Sequence, residues 1–296
     1  MLTWPDDHPV RTDPALAPYA AAAEQLVGRP AVITLLRHLP GRRATSMALA
    51  DTGPAVLKVF AGPRARGNHR RLTVLAERLG ALVPHSYGTD PAGHVSLLGW
   101  QRGAPFDELD DDAFVDAARP TGAALAALHT CGAELDRTWT LDRELEQLQR
   151  RATDRTGAAV ADLIDSGRLA HLRREPLVPS HRDAHPRQIV VDDRRVAFID
   201  LDDAALAPAG LDVGNFVAHL RREAALGRRT IEVAEASVEA FLAGYGTPPP
   251  TWEHWQELSL LRLVGLAESR HDRRDWAVAI ELIARQHGLR TGRVVG

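Results

Sequence analysis

A chain of 296 residues with 45% hydrophobic content can bury a substantial core, as one large domain or two coupled lobes, so a globular protein is expected. A formal charge of −3 supplies no basic field for tracking phosphate backbones, despite arginine pairs such as Arg42-Arg43 and Arg273-Arg274, and nucleic acid is excluded as an expected partner. The lone Cys131 cannot form an internal disulfide, and Asp6 and Asp7 stand where a signal peptide would be basic and then apolar. The uncharged stretch 121–133 is too short and polar for a bilayer, so a cytoplasmic protein without a membrane span is expected.

In chain order, a small helix over 14–28 precedes three strands, AVITLLRHL at 31–39, ATSMALAD at 44–51 and PAVLKVF at 54–60. Turn signals at Pro40-Gly41 and Thr52-Gly53-Pro54 join them into an antiparallel meander. A helix over 64–79 follows, then Val83-Pro84 and a strand, VSLLG, at 95–99. From Asp110 the pattern turns helical, and Pro120 divides two segments by starting the second, TGAALAALH. The run 141–167 carries i,i+4 acid and arginine pairs, the mark of a solvated helix face. IVV and VAFID, joined by Asp192-Asp193-Arg194, read as a hairpin. Asp212 is placed to cap a helix whose apolar face is Val213, Phe216, Val217, Leu220 and Ala224. Helices over 230–245 and 252–288, the latter broken near His271, complete a strand-rich lobe (1–100) followed by a helical lobe (101–296), an α+β organisation.

Lys58, in AVLKVF, is the only lysine among 36 basic residues, and asparagine occurs only at Asn68 and Asn215. Such a bias exchanges lysine for arginine wherever the chain tolerates it. A compact ammonium that must contact phosphates is one place where a bulkier, planar guanidinium is a poor substitute.

The stretch richest in chemistry is HRDAHPRQIVVDDRRVAFIDLDD at 181–203. It resembles the kinase catalytic loop H-R-D-x-x-x-x-N: His181, Arg182 and Asp183 match, Gln188 stands at the Asn position, and Asp200 ends the following apolar strand where a metal-binding Asp is expected. Asp183 would orient the attacking hydroxyl as the base. Gln188 and Asp200 would offer the hard oxygens that Mg²⁺ prefers, and Lys58 would meet the α and β phosphates.

With LRHLPGRRATSMALAD, LLGWQRGAPF at 97–106, GAALAALH at 122–129 and FIDLDDAALAPAGLDVGNF at 198–216, the chain resembles the aminoglycoside phosphotransferase and choline kinase-like family. The resemblance spans roughly 31–220. It implies a two-lobed protein-kinase-like fold with a nucleotide-binding first lobe, and a second lobe that is catalytic and binds substrate. It further implies ATP, or GTP in its place, with Mg²⁺, and phosphoryl transfer to a hydroxyl of a small molecule such as an antibiotic, sugar or metabolite. By the same resemblance the backbone of Leu97, Leu98, Gly99, Trp100 and Gln101 would bind adenine. The turn 40–43 would cover the phosphates, and Asp212 would brace the catalytic loop.

Two departures stand out. Gln188 replaces Asn but keeps the amide oxygen, and the helix at 64–79 offers only Glu77, near its end, as an acid to pair with Lys58. They motivate a second reading, a catalytically inactive kinase-like protein that binds nucleotide or ligand.

Other features read more plainly. HRDAH has no second His/Cys cluster at zinc-ligand spacing, Asp202 and Asp203 read as solvated or supporting acids, and Cys131 reads as a buried thiol. Trp252, Trp255 and Trp276 fit core or pocket wall. In 251–276, Glu253, Glu257, Glu268, Asp272 and Asp275 are balanced by Arg262, Arg270, Arg273 and Arg274, which points away from a polycationic acceptor. Resistance, biosynthetic or metabolic role and oligomeric state are left open by the sequence.

Overall fold

The computed structural model describes residues 2–152, 157, 160, 161, 164, 167–193, 195–269, 274, 277–279, 281 and 282. Arg194 of the hairpin turn, much of 153–166, Arg270, His271, Asp272, Arg273, Asp275, Trp276 and the side chain of Glu268 lie outside the described residues, as does the end of the helix expected to reach 288. The chain divides into two compact units, Met1–Arg102 and Gly103–Gly296. Among the described residues no helix is long and apolar enough to cross a membrane.

In the first unit the strands are β1 (Leu2–Thr3), β2 (Ala31–Leu39), β3 (Arg43–Ala50), β4 (Gly53–Phe60), β5 (Ser86–Thr89) and β6 (Val95–Gly99). They form a sheet in the order β1-β2-β3-β4-β6-β5, in which β1 runs parallel to β2 and every other neighbour is antiparallel. Alternation of side chains along a strand explains its two faces. Ile33, Ala44, Ala48, Leu57, Val59, Val95 and Leu97 bury one face together with Leu16 and with Ala23 and Val27 of helix α2 (Ala20–Val27). A four-residue helix, α1 (Pro9–Thr12), precedes α2.

Lys58 alternates with Leu57 and Val59 and so takes the opposite face, where it stands across from Thr45 on β3 and Ser96 on β6. It is 4% exposed. Helix α3 (Ala65–Leu79) follows β4 and buries Ala65, Asn68, Arg71, Leu72 and Leu75. Strand β5, SYGT, escaped the sequence reading because it is short and contains a glycine.

In the second unit the strands are β7 (Ala104–Pro105), β8 (Leu177–Ser180), β9 (Ile189–Asp192), β10 (Arg195–Phe198) and β11 (Ala205–Pro208). The helices are α4 (Asp111–Thr130), α5 (Leu141–Arg151), α6 (Ala209–Ala225), α7 (Ile231–Tyr245) and α8 (Trp252–Ser269). The β9–β10 hairpin forms as expected, with β7 added along β9, and β8 pairs antiparallel with β11.

Three local expectations are corrected. Pro120 does not start a helix; it lies inside α4, which is continuous. An interior proline costs roughly 3 kcal/mol, and tertiary packing offsets it here because α4 and α7 approach backbone to backbone. A methyl on Gly122 would lie 2.0 Å from the Phe241 carbonyl oxygen, and one on Gly244 would lie 2.0 Å from the Arg119 carbonyl oxygen. Asp212 does not cap a helix: α6 begins at Ala209 with Pro208 as its N-cap, and Asp212 lies within the first turn. Cys131, at the end of α4, is half-buried rather than buried.

Gly122→Ala is expected to destabilise the protein by at least about 1–3 kcal/mol, since the clash is with backbone that cannot rotate away. Thermal melting checks this, and an unchanged midpoint would mean the two helices separate without cost.

Candidate active site

The loop that follows β8 carries His181, Arg182 and Asp183. Its backbone turns sharply, with Arg182 at φ +71, a left-handed conformation that costs of order 1–3 kcal/mol for a residue with a side chain. Asp212 compensates. Its carboxylate accepts the N–H of His181 at 2.6 Å on Oδ2 and the N–H of Arg182 at 2.7 Å on Oδ1. Asp212 is 0% exposed, and its remaining partner is His129 Nε2 at 3.3 Å from Oδ2. His129 Nδ1 in turn lies 2.7 Å from the Tyr245 hydroxyl.

Burial pushes the Asp212 carboxyl up, but the His129 contact and charge, with His181, outweigh it and hold the group below the usual carboxylate range. The Tyr245 hydroxyl, pushed up to about 12 by burial and then by Asp212, keeps its proton and can donate to His129. Asp212, His129 and Tyr245 therefore form one buried chain of hydrogen bonds beneath the loop.

His181 is fully buried, and both ring nitrogens are engaged. Nε2 donates to the Ile199 carbonyl at 2.9 Å, and Nδ1 accepts from the Asp183 N–H at 3.4 Å. It thereby ties the loop to the end of β10. Arg182 lays its guanidinium 3.5 Å from the Trp139 ring centroid and donates to the Asp203 carbonyl at 3.1 Å. Burial brings its pKa down to about 10, with Asp203 opposing, so it remains charged at neutral pH. The side chains of His181 and Arg182 are thus committed to holding the loop.

Asp183 differs from both: its side chain is 47% exposed. Arg262 NH2 lies 3.7 Å from Oδ1 and His185 Nε2 lies 3.7 Å from Oδ2. His185 accepts the Arg187 N–H on Nδ1 and stacks on His219 with ring centroids 4.6 Å apart. The surrounding protein would raise the Asp183 pKa, but the His185 contact and the charges of Arg262, His185 and His219 hold it well below the usual carboxylate range. His219 is itself pushed well below the ordinary histidine value by burial and by its neighbours His185 and Arg222. Asp183 is therefore an ionised, solvent-reachable carboxylate at neutral pH, suited to orienting a hydroxyl and accepting its proton.

Five residues on, Gln188 closes a turn whose carbonyl accepts from the Ile199 N–H at 2.9 Å. Two residues beyond β10, Asp200 sits at φ +57, another left-handed residue with a side chain. Its carboxylate and the Gln188 amide carry hard oxygens, the donor type that Mg²⁺ prefers. Among the described residues no group of three or more His, Cys, Asp or Glu side chains is gathered as a metal cage.

In the first unit, strand β6 lies between β4 and β5. Leu97 and Leu98 are paired on both sides, with Leu57 and Val56 on β4 and with Gly88 and Ser86 on β5. Gly99 N–H donates to the His85 carbonyl at 2.7 Å. Sheet partners already flank these three residues, whereas Trp100 and Gln101 follow the strand.

The turn between β2 and β3 is anchored by Asp13, which accepts the Gly41 N–H at 2.8 Å and lies 2.9 Å from His38 Nε2. Glu77 is exposed, and Asn68 and Arg71 are the polar side chains that α3 buries.

Residues 34–261 match the sequence profile of the phosphotransferase enzyme family. The chain belongs to that family. Solved structures share its fold. Among them is the amicoumacin kinase hAmiN in complex with AMP-PNP, Ca²⁺ and Ami, at 14% identity with 86% of each chain covered and a TM-score of 0.66. Another is the aminoglycoside phosphotransferase APH(3″)-Id of Streptomyces rimosus in complex with ADP and streptomycin, at 18% identity, covering 73% of this chain and 90% of that one with a TM-score of 0.58. A choline/ethanolamine kinase family protein of Mesorhizobium loti is 17% identical, covering 96% of this chain and 93% of that one with a TM-score of 0.60. At such identities the likeness is one of fold, the kinase-like α+β fold of phosphotransferases. A comparison with curated proteins found no match.

Sequence reasoning about this phosphotransferase missed His129, Tyr245, Asn215, His219, Arg262 and Asp13. Asn215 carried a signal, since asparagine survives at only two positions and both are buried. Arg262 carried none: 79 positions separate it from Asp183, and nothing local marks it.

Proposed function

We propose that the protein is an ATP- and Mg²⁺-dependent O-phosphotransferase acting on a hydroxyl of a small molecule, of the antibiotic or sugar kind. The observation that carries this reading is Asp183: an exposed carboxylate kept ionised on a loop whose strained backbone is braced from below by Asp212. In this reading Asp183 receives the hydroxyl proton, while His181 and Arg182 position the loop. Gln188 and Asp200 would hold Mg²⁺, which when bound supplies charge neutralisation on the phosphates. Lys58, a buried ammonium, would contact the phosphates. Adenine would be met by backbone of Trp100 and Gln101 rather than by Leu97, Leu98 or Gly99, whose strand neighbours already flank them. The turn at Gly41, fixed by Asp13, would cover the phosphates. Fold kinship with kinases solved with AMP-PNP and with ADP supports a nucleotide as the donor.

Calorimetric titration of Mg·ATP into the wild type and Lys58→Arg tests the nucleotide half of this reading. The wild type is expected to bind and the arginine variant to bind at least about tenfold more weakly, because a planar fork cannot replace the point charge. A wild type that binds no Mg·ATP overturns the reading.

A second reading, an inactive nucleotide- or ligand-binding protein, draws on the replacement of Asn by Gln188 and on α3, which buries Asn68 and Arg71 where an acid was expected. A phosphorylated product seen by mass spectrometry and lost in Asp200→Ala would eliminate it.

A further inference from the structure

Three consecutive residues of the catalytic loop are gripped by one pair of side chains from outside it. Asn215, on α6, donates from Nδ2 to the Ala184 carbonyl at 2.7 Å. Its Oδ1 accepts from Arg262 NH2, on α8. Arg262 NH1 reaches the Arg182 carbonyl at 3.5 Å, and NH2 lies 3.7 Å from the Asp183 carboxylate.

Both side chains are buried, Asn215 fully and Arg262 to all but 7%. A guanidinium held this way does not reach out toward a substrate. It is a fixed positive charge behind the half-exposed Asp183. The matched family region ends at residue 261, so Arg262 lies one residue beyond it.

We propose that Arg262, held by Asn215, is a positioning residue of the phosphotransferase reaction: it fixes the rotamer of Asp183 and keeps its carboxylate ionised. This rests on the reading of Asp183 as the base. The groups that face Asp183 are Arg262 from α8, His185 from the loop itself and His219 from α6, with Arg222 beyond His219. Among them Arg262 is the fixed charge, since the two histidines carry charge only when protonated. A planar cation has a second advantage over lysine at this place, because its fork serves Asn215, the Arg182 carbonyl and Asp183 at once.

The test is a carbon-13 carboxyl titration by NMR of the full chain, with the Asp183 signal assigned by its loss in Asp183→Asn. The wild-type carboxyl is expected to stay ionised to well below pH 4. In Arg262→Met its midpoint is expected to rise by at least about one unit, because an opposite charge within 4–6 Å lowers a carboxylate by about 1–3 units. Arg262→Lys, which keeps the charge, is expected to return most of that shift. If Arg262→Met does not fold, Arg262→Gln is read in its place. An Asp183 midpoint that does not move in the neutral variant overturns the proposal, and so does one that moves equally in Arg262→Lys, since the charge would then not be the cause. Mg·ATP titration of the same samples separates the two levels. A wild type that binds no nucleotide overturns the phosphotransferase reading, whereas the carboxyl titration reports on Arg262 in either case.

Discussion

Changing Asp183 to asparagine is expected to lower turnover by about 10²- to 10⁴-fold, the usual contribution of a positioned general base. Mg·ATP binding and the thermal midpoint should stay close to the wild type. The substitution preserves shape, and the side chain is half exposed, so the fold loses little. It removes the only feature that matters for the proton: an amide cannot take one from the hydroxyl, and its NH2 group meets either Arg262 or His185 as a donor facing a donor. The pH dependence follows from the same geometry. A carboxylate held below its ordinary value near 4 is fully ionised above it, so Asp183 contributes no acid limb to kcat between about pH 5 and 7. An unchanged turnover number in the asparagine variant would remove Asp183 from the chemistry and with it the proposed mechanism.

Asp212→Ala is expected to be the most destabilising substitution in the second unit, by about 3–5 kcal/mol, the range found when one partner of a buried charged network is removed. Two backbone N–H groups, those of His181 and Arg182, would be left buried and unpaired, each costing about 1–3 kcal/mol. Arg182 would lose the contacts that hold it at positive φ. His129 would lose its acid partner as well. Asp212→Asn keeps an acceptor oxygen for one N–H and should cost less.

The sign of the pH effect is fixed by the lowered pKa. The stabilisation from Asp212 is fully present above the ordinary carboxylate value and is lost as pH falls through its folded value. The alanine variant should therefore show a shallower fall in stability with acid than the wild type. Denaturant unfolding, with the midpoint shifted at constant slope, measures the loss. A cost below about 1 kcal/mol would mean that the loop does not depend on this carboxylate, contrary to the burial accounting.

Much of the candidate site was legible because its residues are local in the chain. His181, Arg182, Asp183 and Gln188 fall within eight positions, and the hairpin that carries the chain on to Asp200 forms from its own alternating strands and turn. Lys58 was legible for a different reason, as the residue that a strong bias toward arginine had not removed, and it lies buried in the middle of β4. The corrections at Pro120 and Asp212 come from contacts between distant segments. Pro120 has the local preference of a helix boundary, yet α7 packs so closely on α4 through Gly122 and Gly244 that the helix runs through it. Asp212 has the local look of a helix cap, yet two loop amides more than 25 positions upstream claim its oxygens. The stretch proposed to meet adenine was marked as five equivalent residues because a sequence does not reveal that β5 and β4 both flank Leu97 and Leu98.

The sequence by itself therefore determined the α+β organisation, the three-strand meander around Lys58, the kinase-like motif and the family. Periodicity, turn residues and motif spacing are properties of neighbouring positions. Only the tertiary structure decided how that motif is held: Asp212, His129 and Tyr245 beneath it, and Asn215 and Arg262 behind Asp183. Asp212, His129, Asn215 and Arg262 are buried polar groups satisfied across tens of residues of chain. Burial makes such pairings obligatory, but local sequence carries no record of which partner the fold will bring.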